Sequence, residues 1–308
     1  MIPTSHNTVP TGLTIADTEV DLLVVGSGTG LAAALAAHER GLSVLVVEKS
    51  SRVGGSTARS GGALWLPASP VIAECGGVDT ASRAQTYLDS VVADSAPQER
   101  SAAYVKNLPA TVDMLRRTTP MKLFWAKEYS DYHPEAPGGS AAGRTCECRP
   151  LDTAILGEYL PDLRPGIMEV SIPMPTTGAD YRWMNLMSRV PRKGLPTILK
   201  RLAQGVGGLA LGRRYAAGGQ ALAAGLFAGA IRAGVPIWLS TALKELMTDG
   251  GRVTGAVLEH SGHSVTVTAR RGVVLAAGGI RSQHGHAVEV PIRVSRPKSQ
   301  SRCGIQYR

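Results

Sequence analysis

The chain has 308 residues, 44% of them hydrophobic and 19% charged, a globular composition long enough for one large domain or two smaller ones. Glycine is plentiful at 36 and aromatics are scarce at 5%, which favours a small-residue α/β core over an all-β barrel. The net charge of +9 invites nucleic acid as a partner, but no aromatics interleave the basic clusters and no DNA-reading motif is present, so that class is set aside.

In chain order, residues 1–19 read as a flexible tail without the basic leader and apolar stretch of a secretory signal. Val20–Val25 is a short apolar run of the kind made by a strand buried on both faces of a parallel sheet. Gly26-Ser-Gly-Thr-Gly30 follows, then an alanine-rich helix over Leu31–Arg40 stopped by Gly41, then a second buried strand over Leu42–Glu48. Strand, glycine turn, helix and strand make a βαβ unit, whose crossover should be right-handed. Residues 80–118 read as helical, and 119–215 as a loop-rich insertion. Helix returns over Gln220–Ala233, followed by a strand at Val235–Leu239. Strands Val253–Glu259 and Ser264–Ala269 form a hairpin around Ser261-Gly-His263, and a last buried strand runs over Gly272–Gly279.

Between Arg182 and Arg214 stand eight Lys/Arg and no acid, which reads as a solvated face or a surface lying near anionic lipid. Cys146-Glu-Cys148 is too short for a CxxC metal or redox site and no second pair answers it, so the four cysteines read as reduced thiols of a cytoplasmic protein and no metal is expected.

The glycine cluster stands where a dinucleotide is held. Gly26 allows the tight turn out of the strand, with Ser27 beside it, and Gly28 lets the backbone approach a pyrophosphate resting on the helix N-terminus. The spacing is one residue short of GxGxxG, so Gly30 takes the third role, packing helix on strand. Glu48 lies 22 positions after Gly26, where a carboxylate accepts ribose hydroxyls. Downstream, Gly54, Gly55, Gly61 and Gly62 bracket Ser56, Thr57 and Ser60, so the backbone can run against a flat ligand while hydroxyls donate to it. A plain nicotinamide dehydrogenase has no need of this segment, which favours FAD.

Val24-Val-Gly-Ser-Gly28, Val46-Val-Glu-Lys49, Gly54–Gly62 and Leu64-Trp-Leu-Pro67 resemble the fumarate reductase/succinate dehydrogenase flavoprotein superfamily. Within it, Ser130–Thr145 (SDYHPEAPGGSAAGRT) and Glu147-Cys-Arg-Pro150 are similar to the 3-ketosteroid Δ1-dehydrogenases. The resemblance implies a Rossmann-like FAD-binding domain over 20–280, a parallel sheet with helices plus a β-hairpin. It implies further cofactor contacts at Lys49, Ala242, Ala277, Gly278 and Gly279. The family introduces a 1,2 double bond into the steroid A-ring by proton abstraction and hydride transfer to flavin N5, and hands electrons to an external acceptor. Tyr132 matches the family tyrosine contributed by this domain, while His133 reads as structural. After Gly279 the resemblance implies a further catalytic domain and a return to the FAD domain. Residues 281–308 instead form a basic tail without periodicity, with the expectation of a truncated or frameshifted product and a non-native or disordered end.

Overall fold

The computed structural model describes residues 8–9, 14–166 and 173–278. Its elements are β1 (Thr8–Val9), β2 (Thr18–Val25), α1 (Gly30–His38), β3 (Val44–Val47), β4 (Leu64–Trp65), α2 (Pro70–Glu74), α3 (Ala81–Val92), α4 (Gln98–Thr118), β5 (Leu123–Trp125), β6 (Thr145–Cys148), β7 (Leu151–Asp152), α5 (Gly178–Asn185), α6 (Pro191–Ala210), β8 (Tyr215–Ala216), α7 (Gly218–Ala233), β9 (Ile237–Trp238), β10 (Thr241–Asp249), β11 (Arg252–His260) and β12 (His263–Leu275).

The main sheet runs β1-β9-β3-β2-β12-β11-β10 among the described residues. Its centre, β9, β3, β2 and β12, is parallel, and β1, β11 and β10 are antiparallel additions at the edges. Successive strand side chains point to opposite faces, so Val24 and Val46 meet Leu31, Leu35 and Phe227 of the helical layer. Leu23, Leu45 and Val47 meet Ala256, Leu258, Val265 and Val267 of the β10–β12 meander on the other face. This two-sided burial explains why β2 and β3 read as unbroken apolar runs. A small sheet, β4-β6-β5, and the pair β7-β8 lie outside it.

The nucleotide-binding βαβ unit and the hairpin expected from sequence are both present, within an α/β fold. Four details differ from expectation. The helical stretch over 80–118 is two helices, α3 and α4, parted where Ala93 turns to φ 43° and Pro97 precedes α4. The second hairpin strand and the last buried strand are one: β12 pairs with β11 as far as Thr268, pairs in parallel with β2 from Val267 onward, and keeps that partner past an irregularity between Ala269 and Gly272. The 119–215 segment contains α5 and a 20-residue α6; glycines and Pro196 hide the periodicity of α6 from a sequence reading. Thr8–Val9, in the expected N-terminal tail, pair with β9 and so cover its free edge. Gly279 and the tail at 281–308 lie outside the described residues.

Candidate functional site

At the end of β2 the chain turns on Gly26, which has φ 106° and donates its N–H to the Val47 carbonyl at 2.8 Å. A Cβ here would stand 2.3 Å from the Ala276 carbonyl oxygen, so only glycine lets β2 and the exit of β12 come together. Gly30 closes the turn one residue early. A Cβ on it would lie 2.9 Å from Val24 Cγ1 and 3.1 Å from Ala276 Cβ, so helix α1 can sit down on the sheet despite the short loop. Between them, at the start of α1, the N–H groups of Gly28 and Thr29 donate to nothing among the described residues. Free amides at a helix N-terminus are what an anionic pyrophosphate needs.

Ser27 and Glu48 lock this turn. Glu48 Oε2 accepts the Ser27 N–H at 2.9 Å and the Ser27 hydroxyl at 2.7 Å, and Oε1 accepts the Ser50 N–H at 2.9 Å. Three of the roughly four acceptor positions of a carboxylate are thereby used, leaving room at Oε1 for a ribose hydroxyl rather than for two at once. The same Ser27 oxygen accepts the Gly54 N–H at 3.1 Å, which draws the second glycine loop against the first. Thr57 Oγ1 consequently stands directly over Gly28. Lys49 and Ser56 are exposed on this side, and Gly55 is half-buried. Ala242 is brought to the same end because the Thr241 N–H donates to the Glu48 carbonyl at 2.8 Å.

A second group of residues stands farther along the loop. Ser60, Gly61 and Gly62 meet the start of α7, where the Gly219 N–H donates to the Ser60 carbonyl at 3.0 Å. Ala277 and Gly278 follow β12 beyond Ala276, whose N–H donates to the Val25 carbonyl at 2.8 Å. A cavity of about 660 Å³ is lined by Ser60, Gly61 and Gly218 together with Pro173–Pro175, Thr177, Tyr181, Arg182 and Asn185. Tyr129 stands on the same cavity, whereas Tyr132 is 90% exposed and does not line it. The cavity residues of α5 and Tyr129 were not found from sequence. A capping signature, Thr177 with Asp180 three residues on, marked the start of α5, and Tyr129 immediately precedes the Ser130–Thr145 run that carried the family resemblance.

Two buried charges hold these walls. Glu147 of β6 is 1% exposed and its Oε2 accepts the Gly178 N–H at 2.8 Å, capping α5. Burial pushes its carboxyl above the ordinary range, against the pull of those N–H groups. Arg144 lies between Asp79 and Asp131. Burial works to raise the Asp79 carboxyl, but the Arg144 guanidinium and the Ala68 N–H outweigh it and hold it below its usual value. Burial also pushes the Cys146 thiol up to about 12 and the Cys148 thiol to about 11, so neither is a thiolate at neutral pH. No group of three or more metal-ligating side chains occurs among the described residues.

A parallel sheet with a glycine turn, an acidic residue after the second strand and a second glycine loop beside both defines a dinucleotide-binding flavoprotein domain. The FAD binding domain family matches residues 21–296, and the chain belongs to that family, with FAD as its cofactor. It is 40% identical to the 3-oxosteroid 1-dehydrogenase of Mycobacterium tuberculosis over 267 residues, 85% of this chain and 47% of that protein. It is 34% identical to the 4-oxocyclohex-2-ene-1-carboxylate 5-dehydrogenase of Sinomonas cyclohexanicum over 281 residues, 89% of this chain and 46% of that one. In structure it is similar to the 3-ketosteroid Δ1-dehydrogenase of Sterolibacterium denitrificans in complex with 1,4-androstadiene-3,17-dione, with a TM-score of 0.77 and 33% identity over 85% of this chain and 48% of that one. The chain thus spans about half the length of the relatives it matches.

Proposed function

We propose that this chain is the cofactor-holding part of an FAD-dependent dehydrogenase that places a 1,2 double bond in the A-ring of a 3-ketosteroid and passes electrons to an external acceptor. The observation that carries the reading is the cavity itself, which begins at Ser60, Gly61 and Gly218 and ends on a wall of prolines, Met174 and Tyr181. A flat ring system of low polarity suits such walls. The nucleotide half of FAD would rest on the free amides of Gly28 and Thr29, with a ribose hydroxyl on Glu48 Oε1 and Ser56, Thr57 and Lys49 around it. Gly54, Gly55 and Gly62 keep the backbone low beneath it, and Ala242, Ala277, Gly278 and Gly279 complete the contacts. When bound, the flavin supplies a hydride acceptor. Tyr132 is the tyrosine this domain would offer toward the proton-abstracting group, its ring left free to meet it.

The test is visible absorption of the purified chain with added FAD, followed by a steroid dehydrogenation assay with an artificial electron acceptor. Retained flavin bands and turnover of a 3-ketosteroid support the reading; a chain that takes no FAD removes it. A second substrate class, a monocyclic oxo-carboxylate, is favoured by Arg182 on the cavity wall. Faster turnover of 4-oxocyclohexanecarboxylate than of a steroid would select it.

The same reading has the enzyme in the cytoplasm, reaching poorly soluble substrate at a lipid surface. No helix among the described residues is long and apolar enough to cross a membrane. Leu195, Leu199, Val206, Leu209 and Leu211 are exposed along α6 and just past its end, flanked by the basic residues from Arg182 to Arg214. A basic amphipathic helix of this kind lies in the interfacial plane of an anionic bilayer. Sedimentation with phosphatidylglycerol vesicles, lost in Leu195→Glu/Leu199→Glu, is the expected outcome; equal sedimentation of both chains would rule it out.

A further inference from the structure

Arg144 precedes β6 and is fully buried, which arginine tolerates only when its donors are paired. Its Nε and Nη2 donate to the two carboxylate oxygens of Asp79 at 2.8 and 3.0 Å, Nη2 also to the Gly138 carbonyl at 2.8 Å, and Nη1 to Asp131 Oδ2 at 2.5 Å. The guanidinium also faces the rings of Trp65 and Tyr87.

Asp131 is the pivot of the opposite side. Its Oδ1 accepts the Trp65 indole N–H at 2.9 Å and its Oδ2 the Ser140 N–H at 3.1 Å. The Tyr87 hydroxyl accepts the His133 N–H at 3.3 Å, and Arg83 donates to the Gly139 carbonyl. Each of these bonds ends on the loop from Glu128 to Gly143, and none ends on Tyr129 or Tyr132 side chains. The loop is long, rich in proline and glycine, and without helix or strand of its own. Its placement relative to β4 therefore depends on a buried cluster carrying one cation and two carboxylates.

We propose that Arg144 is the positioning residue of the cavity's tyrosine wall, acting through Asp131 to set where Tyr129 stands on the cavity and where the neighbouring Tyr132 is presented. The proposal rests on the reading of the cavity as the site where substrate meets the flavin. Packing alone does not account for the arrangement. A buried apolar residue of similar volume would fill the space between Trp65 and Tyr87, but it would offer nothing to Asp131 or the Gly138 carbonyl. The fork of Arg144 ties both to Asp79, which also accepts the Ala68 N–H just beyond β4.

The test places a fluorotyrosine at position 129 of the full chain and reads it by fluorine NMR. In Arg144→Ala the resonance is expected to move to the position of the free amino acid and sharpen. Added ethylguanidinium is expected to restore it, and sodium chloride at equal ionic strength to leave it displaced. A merely space-filling role would not show that chemical selectivity. A folded Arg144→Ala chain whose resonance stays in place overturns the proposal, as does restoration by salt alone. Should Arg144→Ala fail to fold, Asp131→Asn answers the question. It keeps the acceptor for Trp65 and loses the ionic contact, so a displaced resonance is expected and an unmoved one overturns the proposal. FAD titration of the same samples is a separate readout: loss of binding in the unaltered chain defeats the cofactor reading and leaves the NMR answer standing.

Discussion

Ser27 joins three segments through one hydroxyl, and its removal tests how far the nucleotide turn is a built object. In Ser27→Ala the Glu48 carboxylate loses its shortest donor and the Gly54 N–H loses its acceptor, both in a buried setting. A cost of about 1–3 kcal/mol is expected, read by urea unfolding, together with weaker FAD retention read by absorption. Gly26→Ala is expected to be worse, because the new Cβ meets the Ala276 carbonyl at a positive φ. A loss beyond about 1 kcal/mol follows from the backbone strain alone; an alanine variant that melts and binds FAD like the parent would contradict this. The thiols give a pH prediction. With Cys146 raised from 9.0 to about 12 and Cys148 from 9.0 to about 11, the folded state holds protons that the unfolded chain releases. Their contribution to stability is therefore full below pH 9.0 and is lost as pH rises toward 11–12. Iodoacetamide mapped by mass spectrometry should modify exposed Cys75 in the folded chain and reach Cys146 and Cys148 only on unfolding.

At the scale of elements, legibility followed the reach of the forces involved. The β2–α1–β3 unit was readable because turn, helix and strands are set by neighbours in sequence: apolar runs, a glycine cluster and an acid at fixed spacing. Gly30 could be assigned its packing role from the same local logic. The cavity wall at α5 was not readable, although Thr177 and Asp180 announced a helix start, because its relation to Ser60 is tertiary. Arg144 is the extreme case. A lone arginine in a loop-rich run gives no sign of burial, and its two partners come from 65 residues upstream and 13 residues upstream. α6 was hidden by composition: four glycines and a proline lower its helix propensity, so its existence rests on packing. One expected outcome follows at this scale. Because α6 buries only Gly194, Arg201, Gly205 and Gly208 and leaves an apolar ridge in solvent, its amides should exchange faster than those of α7, which buries most of its length. Equal protection of the two helices in hydrogen-exchange mass spectrometry would count against that.

The whole molecule is organised by one strand. β12 is the hairpin partner of β11 at its beginning and the parallel neighbour of β2 at its end, and the Gly26 turn leans on Ala276 just past it. The opening and closing stretches of the described chain thus make the nucleotide turn together. On a ribosome this has a temporal meaning. The amino-terminal βαβ unit emerges early but has no wall at Gly26 until residue 276 has cleared the exit tunnel. Long-range parallel pairing is slow in any case, since the loop between the strands must close first. Cofactor capture is accordingly a late event of biogenesis, and a nascent chain arrested before β12 should find no use for FAD however much is supplied.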